Sequence, residues 1–393
     1  MVSSLYIHIP FCLRKCPYCD FFSIPYENGM EREMERRYVN ALKSELILRK
    51  DNIVTLRTIY IGGGTPSVFE AGSIARLLEF INNNFGIENG AEITMEVNPS
   101  SADDEKLRAI RQAGVNRISV GVQSLNDEEL ISLGRIHNAA EAVRALEIIK
   151  KYFWNFSVDL IYGLEGQTVG GWVRTVRRAL SFAPPHVSAY ELTPEADTPF
   201  GRRVMSGEAV LPEEDAIAAM YCSAAEQFGG AGLCHYEISN FARAGFLCRH
   251  NENYWRRGLY AGIGAGAHSH LRILYSGQGY SLRSSNAADL MQYLTNIEHN
   301  TLPVGETTII DGCEGLKEDI FLGLRTAEGV SVERLREGGI DVAGLQGLVE
   351  NGLAEIDETR LKLTRRGFLV SNRIISSIMD KIDAQRGHSP KSV

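Results

Sequence analysis

Three cysteines fall within eight positions near the start of the chain, in the run FCLRKCPYCDFF: Cys12, Cys16 and Cys19. Thiolates spaced C-x3-C-x2-C can close around one metal centre. A structural zinc site takes four protein ligands, commonly from paired C-x2-C knuckles, and only one such pair is present here. His8 or Asp20 is available to complete a zinc set. The other reading is an iron–sulfur cluster, which soft thiolates suit. Three cysteines around a four-iron cube leave one iron for a small molecule bearing amino and carboxylate groups. Tyr18, Phe21 and Phe22 can shield such a cluster from water or simply pack a core. The chain has seven cysteines, and an odd number in a large chain speaks against a disulfide framework. Cys222, Cys234, Cys248 and Cys313 are isolated and read as free thiols.

Other residues have types suited to ligand binding. The run YIGGGTPS lacks the lysine of a phosphate-binding Walker loop. Its glycines, with Gly63 and Gly64 followed by Thr65, either expose backbone to a ligand or form a tight turn. Glu96 and Asp159 are carboxylates in apolar strands, which must be paired or bound to something. An internal salt bridge and a ligand contact both satisfy that demand. Gln123 offers an amide, and Arg135 a cation suited to a carboxylate. Tyr6 lies just before the cysteines. His250 opens HNENYW, where imidazole can ligate haem iron and Tyr254 and Trp255 can stack on a macrocycle, or all three can pack a domain join. The run GIGAGAHSH (262–270) has no preceding strand and no acidic residue at dinucleotide spacing, so it reads as a close backbone approach to a barrel mouth. His268 within it is a pocket candidate.

The elements that must position these residues alternate regularly. Strand-like runs at 5–10, 58–64, 92–99, 117–124, 156–163 and 186–193 are separated by helical patterns at 33–50, 71–85, 101–113, 139–151 and 169–182. Several strands are continuously apolar or β-branched, as expected of strands buried on both faces. This repetition predicts an α/β fold with a parallel sheet and right-handed crossovers, a partial (β/α)6 TIM-like barrel, with a doubly wound sheet as the alternative. In either case function lies at the C-terminal strand ends. The cysteines, the glycine run, Glu96, Gln123 and Asp159 all fall there, on one rim.

Beyond residue 200 the alternation stops. We expect the barrel over 1–200, an extension and linker over 201–305 with a helix at 213–229, and a C-terminal winged-helix-like α+β domain over 306–379. That domain should hold helices at 314–325, 331–337, 343–351 and 367–379. Residues 380–393 read as a disordered tail. Helix 343–351 carries no Arg or Lys, which argues for packing rather than groove reading. The 393 residues are 44% hydrophobic and 23% charged, a soluble globular profile, and the net charge of −8 disfavours a broad nucleic-acid surface. We expect no nucleic-acid partner. Neither a signal peptide nor a membrane span is legible, so the expected compartment is the cytoplasm.

Cys-x3-Cys-x2-Cys after the first strand and GGGTP after the second resemble the radical S-adenosylmethionine (SAM) superfamily. That resemblance implies a [4Fe-4S] cluster on Cys12, Cys16 and Cys19, SAM at the open iron, and an electron donor. YIHIPFC, CPYCDF, GGGTPS, EVNPSS, GVQS, GRIH and DLIYGLEGQT together resemble its oxygen-independent coproporphyrinogen III oxidase-like branch. By that resemblance Tyr6, Tyr18, Gly63, Gly64, Thr65, Glu96, Gln123, Arg135 and Asp159 occupy SAM-binding positions. The oxidases of the branch carry a fourth cysteine where Phe21 stands, and a longer N-terminal arm than the eleven residues before Cys12. Both departures, with the H-N-x-x-Y-W pattern, resemble the haem-chaperone members. They imply haem at His250 and delivery to an acceptor protein. The oxidase reading implies instead SAM-dependent decarboxylation of a porphyrinogen, so enzymatic activity stays open.

Overall fold

The computed structural model describes residues 1–26, 31–275 and 278–385. Six strands follow one another in space as in sequence: β1 (Val2–Ile9), β2 (Ile53–Gly63), β3 (Ile87–Val97), β4 (Arg117–Gln123), β5 (Phe156–Tyr162) and β6 (His186–Glu191). Each neighbouring pair is parallel. The crossover helices are α1 (Glu31–Leu48), α2 (Ala71–Phe85), α3 (Asp104–Gln112), α4 (Ala139–Tyr152) and α5 (Val169–Leu180). Their starts are encoded locally. Asp103, Asn138 and Thr168 each accept a backbone N–H of the first turn, and Asn138 forms a full capping box with Glu141.

The sheet is larger than the alternation alone indicates. Helix α6 (Glu214–Gly230) leads to an antiparallel pair, β7 (Cys234–Glu237) and β8 (Asn240–Ala242), of which β8 pairs with β6. Helix α7 (Arg249–Trp255) precedes β9 (Ala261–Ile263), which pairs in parallel with β1. The order is β9-β1-β2-β3-β4-β5-β6-β8-β7, an open, partial barrel. The glycine run at 262–266 thus supplies a strand and a close approach together. A Cβ on Gly262 would lie 1.9 Å from the His268 carbonyl oxygen.

The strands are not apolar on both faces. Ile7, Ile61, Met95, Val120 and Leu160 face outward, are buried, and belong to one core with Leu42, Leu77, Ile110, Leu146 and Val176 of the helices. The alternate residues point into the lumen and are polar. The register sets Tyr6 beside Tyr60, Tyr60 beside Thr94, and Thr94 beside Arg117, with Glu96, Ser119 and Ser157 in the row above. Short polar side chains such as Ser and Thr are compatible with the β-rich pattern, which is why the sequence reads as continuous.

Beyond the sheet, Pro199–Met205 is a helix where a linker is expected, its start capped by Thr198. A three-stranded antiparallel sheet joins His268–Tyr275, Gln278–Asn286 and Val304–Ile310. The C-terminal part has helices Gly312–Gly323 and Val332–Glu337, and a small sheet of Val330–Ser331, Arg360–Leu363 and Ala354–Ile356. The expected helix 343–351 splits into a 3-10 turn, Val342–Leu345, and a short helix, Gln346–Glu350, since Gly344 and Gly347 weaken it. The last helix, Ser371–Gln385, runs past 379: Ile382 is buried and Asp383 pairs with Lys317 at 2.5 Å. Residues 386–393 of the expected tail lie outside the described residues. No described helix is long and apolar enough to cross a membrane.

Candidate metal and cofactor site

The strand ends of β1 to β6 surround a cavity of about 430 Å³. Cys12, Cys16 and Cys19 stand on one wall, with Gly63, Gly64 and Thr65, Glu96, Gln123, Arg135 and Asp159 around the rest. The rim assembled from sequence is therefore one physical site. Tyr18 lines it as well. Tyr6 does not: its hydroxyl lies 3.0 Å from His8 Nδ1, one layer beneath.

Local chemistry explains the cysteine loop. Cys12 leaves β1 buried, and Thr65 Oγ1 donates to its sulfur at 3.5 Å. Cys19 N–H closes a turn onto the Cys16 carbonyl at 3.1 Å. Arg135 Nη1 donates to the Cys16 sulfur at 3.5 Å while its Nη2 donates to the Gly121 carbonyl at 2.8 Å. Burial pushes the Cys12 thiol up, and pushes Cys19 up to about 11. Both would therefore lose protons on metal binding. His8 is not spare as a fourth ligand, since Nε2 lies 2.8 Å from the Phe22 carbonyl oxygen and Nδ1 faces Tyr6.

The glycine run is shaped by β1 before any ligand arrives. Gly64 N–H donates to the Ile9 carbonyl at 2.8 Å, and a Cβ there would lie 2.7 Å from the Phe11 carbonyl oxygen. Gly63 has φ +110°, and its N–H donates to Glu96 Oε2 at 3.1 Å. The tight-turn reading of GGGTP is thus realised, on the cavity wall.

Neither lumen carboxylate has a salt bridge among the described residues. Glu96 accepts from Tyr60 at 2.9 Å and from Gly63. Asp159 accepts from three serines, Ser119 at 2.7 Å, Ser157 at 2.9 Å and Ser188 at 2.7 Å. Burial raises both, Glu96 to about 7, where the hydrogen bond from Tyr60 opposes the rise and the Asp159 charge adds to it. The folded state therefore holds the Glu96 proton more tightly than the unfolded chain. Its contribution is present below the ordinary carboxylate range and is lost as pH rises towards about 7. Glu96→Gln should thus be nearly neutral at pH 5 and raise the ligand-free Tm at pH 8 by several degrees, an effect of up to about 3 kcal/mol. A scanning fluorimetry series across pH checks this; parallel pH profiles would refute it.

Among the described residues, some polar atoms at the site lack a partner. Gln123, held at φ 65°, has a buried, unpaired Oε1, and Arg135 a buried, unpaired Nε. Among the described residues no three His, Cys, Asp or Glu side chains converge on a lone-ion position. Three thiols in one loop, a cavity of this size and unspent polar atoms beside it fit a multi-iron cluster with an adjoining small polar ligand.

The haem candidate lies elsewhere. His250 is fully buried on α7, below the lumen. Its Nδ1 is 2.8 Å from Thr58 Oγ1, its Nε2 is 2.8 Å from the Tyr254 hydroxyl, and its N–H donates to Glu92 at 3.0 Å. Burial, reinforced by the nearby Arg117, depresses its pKa to about 3. Both ring nitrogens are thus engaged in this conformation. His268 is exposed and does not line the cavity. Residues missed from sequence include Tyr190 and Glu191, which line the cavity at the end of β6. The strand-end rule could have found both.

Residues 6–179 match the Radical SAM superfamily, and 312–370 match the HemN C-terminal domain. The heme chaperone HemW of Bacillus subtilis (strain 168) is 34% identical over 97% of this chain and 100% of its own. The heme chaperone HemW of Escherichia coli (strain K12) is 41% identical over 67% of this chain and 69% of its own. The mitochondrial radical S-adenosyl methionine domain-containing protein 1 of Bos taurus is 33% identical over 100% of this chain and 90% of its own. Among solved structures, the coproporphyrinogen III oxidase HemN of Escherichia coli superposes with TM-score 0.80 at 22% identity, covering 97% of this chain and 89% of that one. At that identity it shows the fold.

Proposed function

Because the chain belongs to the HemW family within the radical SAM superfamily, we propose that it is a haem-binding chaperone that carries a 4Fe–4S cluster and SAM and hands haem to an acceptor protein. The full-length similarity to a heme chaperone carries this reading, and Phe21 supports it. Phe21 is 63% exposed at the cavity wall, so no thiol is offered there.

In this reading Cys12, Cys16 and Cys19 hold the cluster. The cluster supplies an open coordination position and an electron. Arg135 and Gln123 present an unspent donor and acceptor to a SAM carboxylate and amino group. Glu96 and Asp159 offer hydrogen-bonding oxygens to a ligand's ribose or amino group, while Tyr18, Gly63, Gly64 and Thr65 shape the wall. Tyr6 acts one layer behind, on His8. An electron donor and a cytosolic setting, where thiols stay reduced, belong to the same proposal.

The alternative is an oxidase that decarboxylates coproporphyrinogen III. The two are separated by reconstituting the cluster anaerobically, adding SAM, a reductant and either haem or coproporphyrinogen III, then following haem retention and decarboxylated product. Stable haem binding without product supports the chaperone; robust protoporphyrinogen formation overturns it.

Haem ligation by His250 would require the Thr58 and Tyr254 hydrogen bonds to break. His250→Ala leaves two buried hydroxyls unpaired and should cost about 1–3 kcal/mol. His250→Gln, which can restore one hydrogen bond, should cost less. Loss of the haem absorbance band in both variants supports ligation by His250. Full retention in His250→Gln excludes it.

A further inference from the structure

We propose that the floor of the barrel lumen is a carboxylate-binding site built on Arg117, with Thr94 beside it. Arg117 opens β4 with its side chain inside the barrel and is 2% exposed. Its Nε–H has no partner, and it makes no ion pair among the described residues. Thr94, its register partner on β3, is 0% exposed with an unpaired hydroxyl. Two orphaned polar groups side by side, one permanently charged, mark a place that a ligand completes.

The groups around Arg117 are already committed elsewhere. Glu92 is the acidic neighbour, but its oxygens accept from Arg249 N–H at 3.1 Å, His250 N–H at 3.0 Å and the Cys248 thiol, holding the start of α7. His186 is engaged with Ser157 and with the Tyr236 hydroxyl, each at 2.8 Å. Tyr60 donates upward to Glu96. The Glu92 charge acts on Arg117 through space, without a hydrogen bond to its guanidinium. The planar fork of that guanidinium matches a carboxylate held by two parallel hydrogen bonds.

The site lies beneath the cavity above, whose lining includes Tyr60, the register partner of Thr94. Ser119, two residues along β4 on the same face, lines that cavity, so Arg117 lies about 7 Å deeper. The carboxylates on the way are Glu96 and Asp159, and burial raises both towards the neutral form. The carboxylate comes either from a small free acid or from an acidic arm of a larger molecule in the cavity.

The test uses the full chain with its cluster reconstituted. Labelled formate is titrated by carbon NMR into wild type, Arg117→Lys and Arg117→Met. Haem and its dimethyl ester are titrated in parallel. Saturable formate binding, weakened at least about tenfold in Arg117→Met and less in Arg117→Lys, supports a small free acid. Preference for haem over the ester in wild type, abolished in Arg117→Met, supports an acidic arm. Equal behaviour of all three proteins toward every probe overturns the site. Should a variant not fold, wild-type crystals soaked in bromide decide: an anomalous peak on the guanidinium supports the site, and ordered water alone overturns it.

Discussion

Single replacement of Cys12, Cys16 or Cys19 by alanine should leave a folded protein with less than about a tenth of the wild-type iron after reconstitution. These three thiols line the cavity wall, and the ligand candidate beside them, Asp20, is a hard oxygen donor poorly matched to a thiolate position. His8 is tied to Phe22 and Tyr6 by both ring nitrogens. Removing one thiol leaves two, too few to hold a multi-iron cluster. The fold should tolerate the change because the loop is anchored independently. Ile24 N–H donates to the Pro10 carbonyl at 2.7 Å and Tyr26 N–H to the Cys12 carbonyl at 2.8 Å, both through backbone. Cys12 is the most buried of the three, so its truncation should cost the most stability. Cys234→Ser is the control: that thiol is exposed on β7, far along the sheet, and its loss should leave iron content unchanged. Iron and sulfide analysis with circular dichroism checks the set. Full loading of any one of the three variants would remove the assignment.

Much of the site was legible because position along a strand carries its meaning. Once β1 to β5 are recognised, the parallel-sheet rule sends Cys12, Gly63, Glu96, Gln123 and Asp159 to one end, and the structure brings them together. What lies inside the barrel was less legible. Thr58, Thr94, Ser119 and Ser157 are small or β-branched, so they blend into an apolar run while lining a polar lumen. His250 shows the opposite failure. Its motif invites a chemical role, but the partners that occupy both nitrogens come from β2 and from one turn further along α7. No sequence spacing reports that Thr58 faces His250 across 192 positions. Strand β9 was hidden because three residues, Ala261–Ile263, become a strand only by pairing with β1.

Glu45 was equally invisible, and its removal should have the largest effect on stability. On sequence it is one more acidic residue of α1. In the structure it is 0% exposed and accepts four hydrogen bonds. Oε1 takes Arg49 Nε and Asn286 Nδ2, each at 2.8 Å; Oε2 takes Gly264 N–H and the Tyr293 hydroxyl, each at 2.9 Å. Arg49 Nη2 donates in turn to Asn286 Oδ1 at 2.8 Å. One carboxylate thereby joins α1, the turn after β9, the end of Gln278–Asn286 and helix Leu290–Glu298. Glu45→Ala would leave a buried guanidinium without its counter-charge and should cost about 3–5 kcal/mol, a large part of a typical domain's stability. Glu45→Gln keeps acceptor capacity and should fall between. Replacing Glu45 and Arg49 together by leucine should recover only part of the loss, since the stranded charge is then gone but Asn286, Gly264 and Tyr293 lose their acceptor. Salt should change these differences little, because the pair is shielded from solvent. The effect should also reach the metal site. Tyr38 donates to the His8 carbonyl at 2.8 Å and accepts from Ala265 N–H at 3.0 Å, so loosening the turn after β9 frees the end of β1. Urea denaturation with parallel iron analysis measures both. A Glu45→Ala protein as stable as wild type would show that the four hydrogen bonds merely offset the burial of the charge.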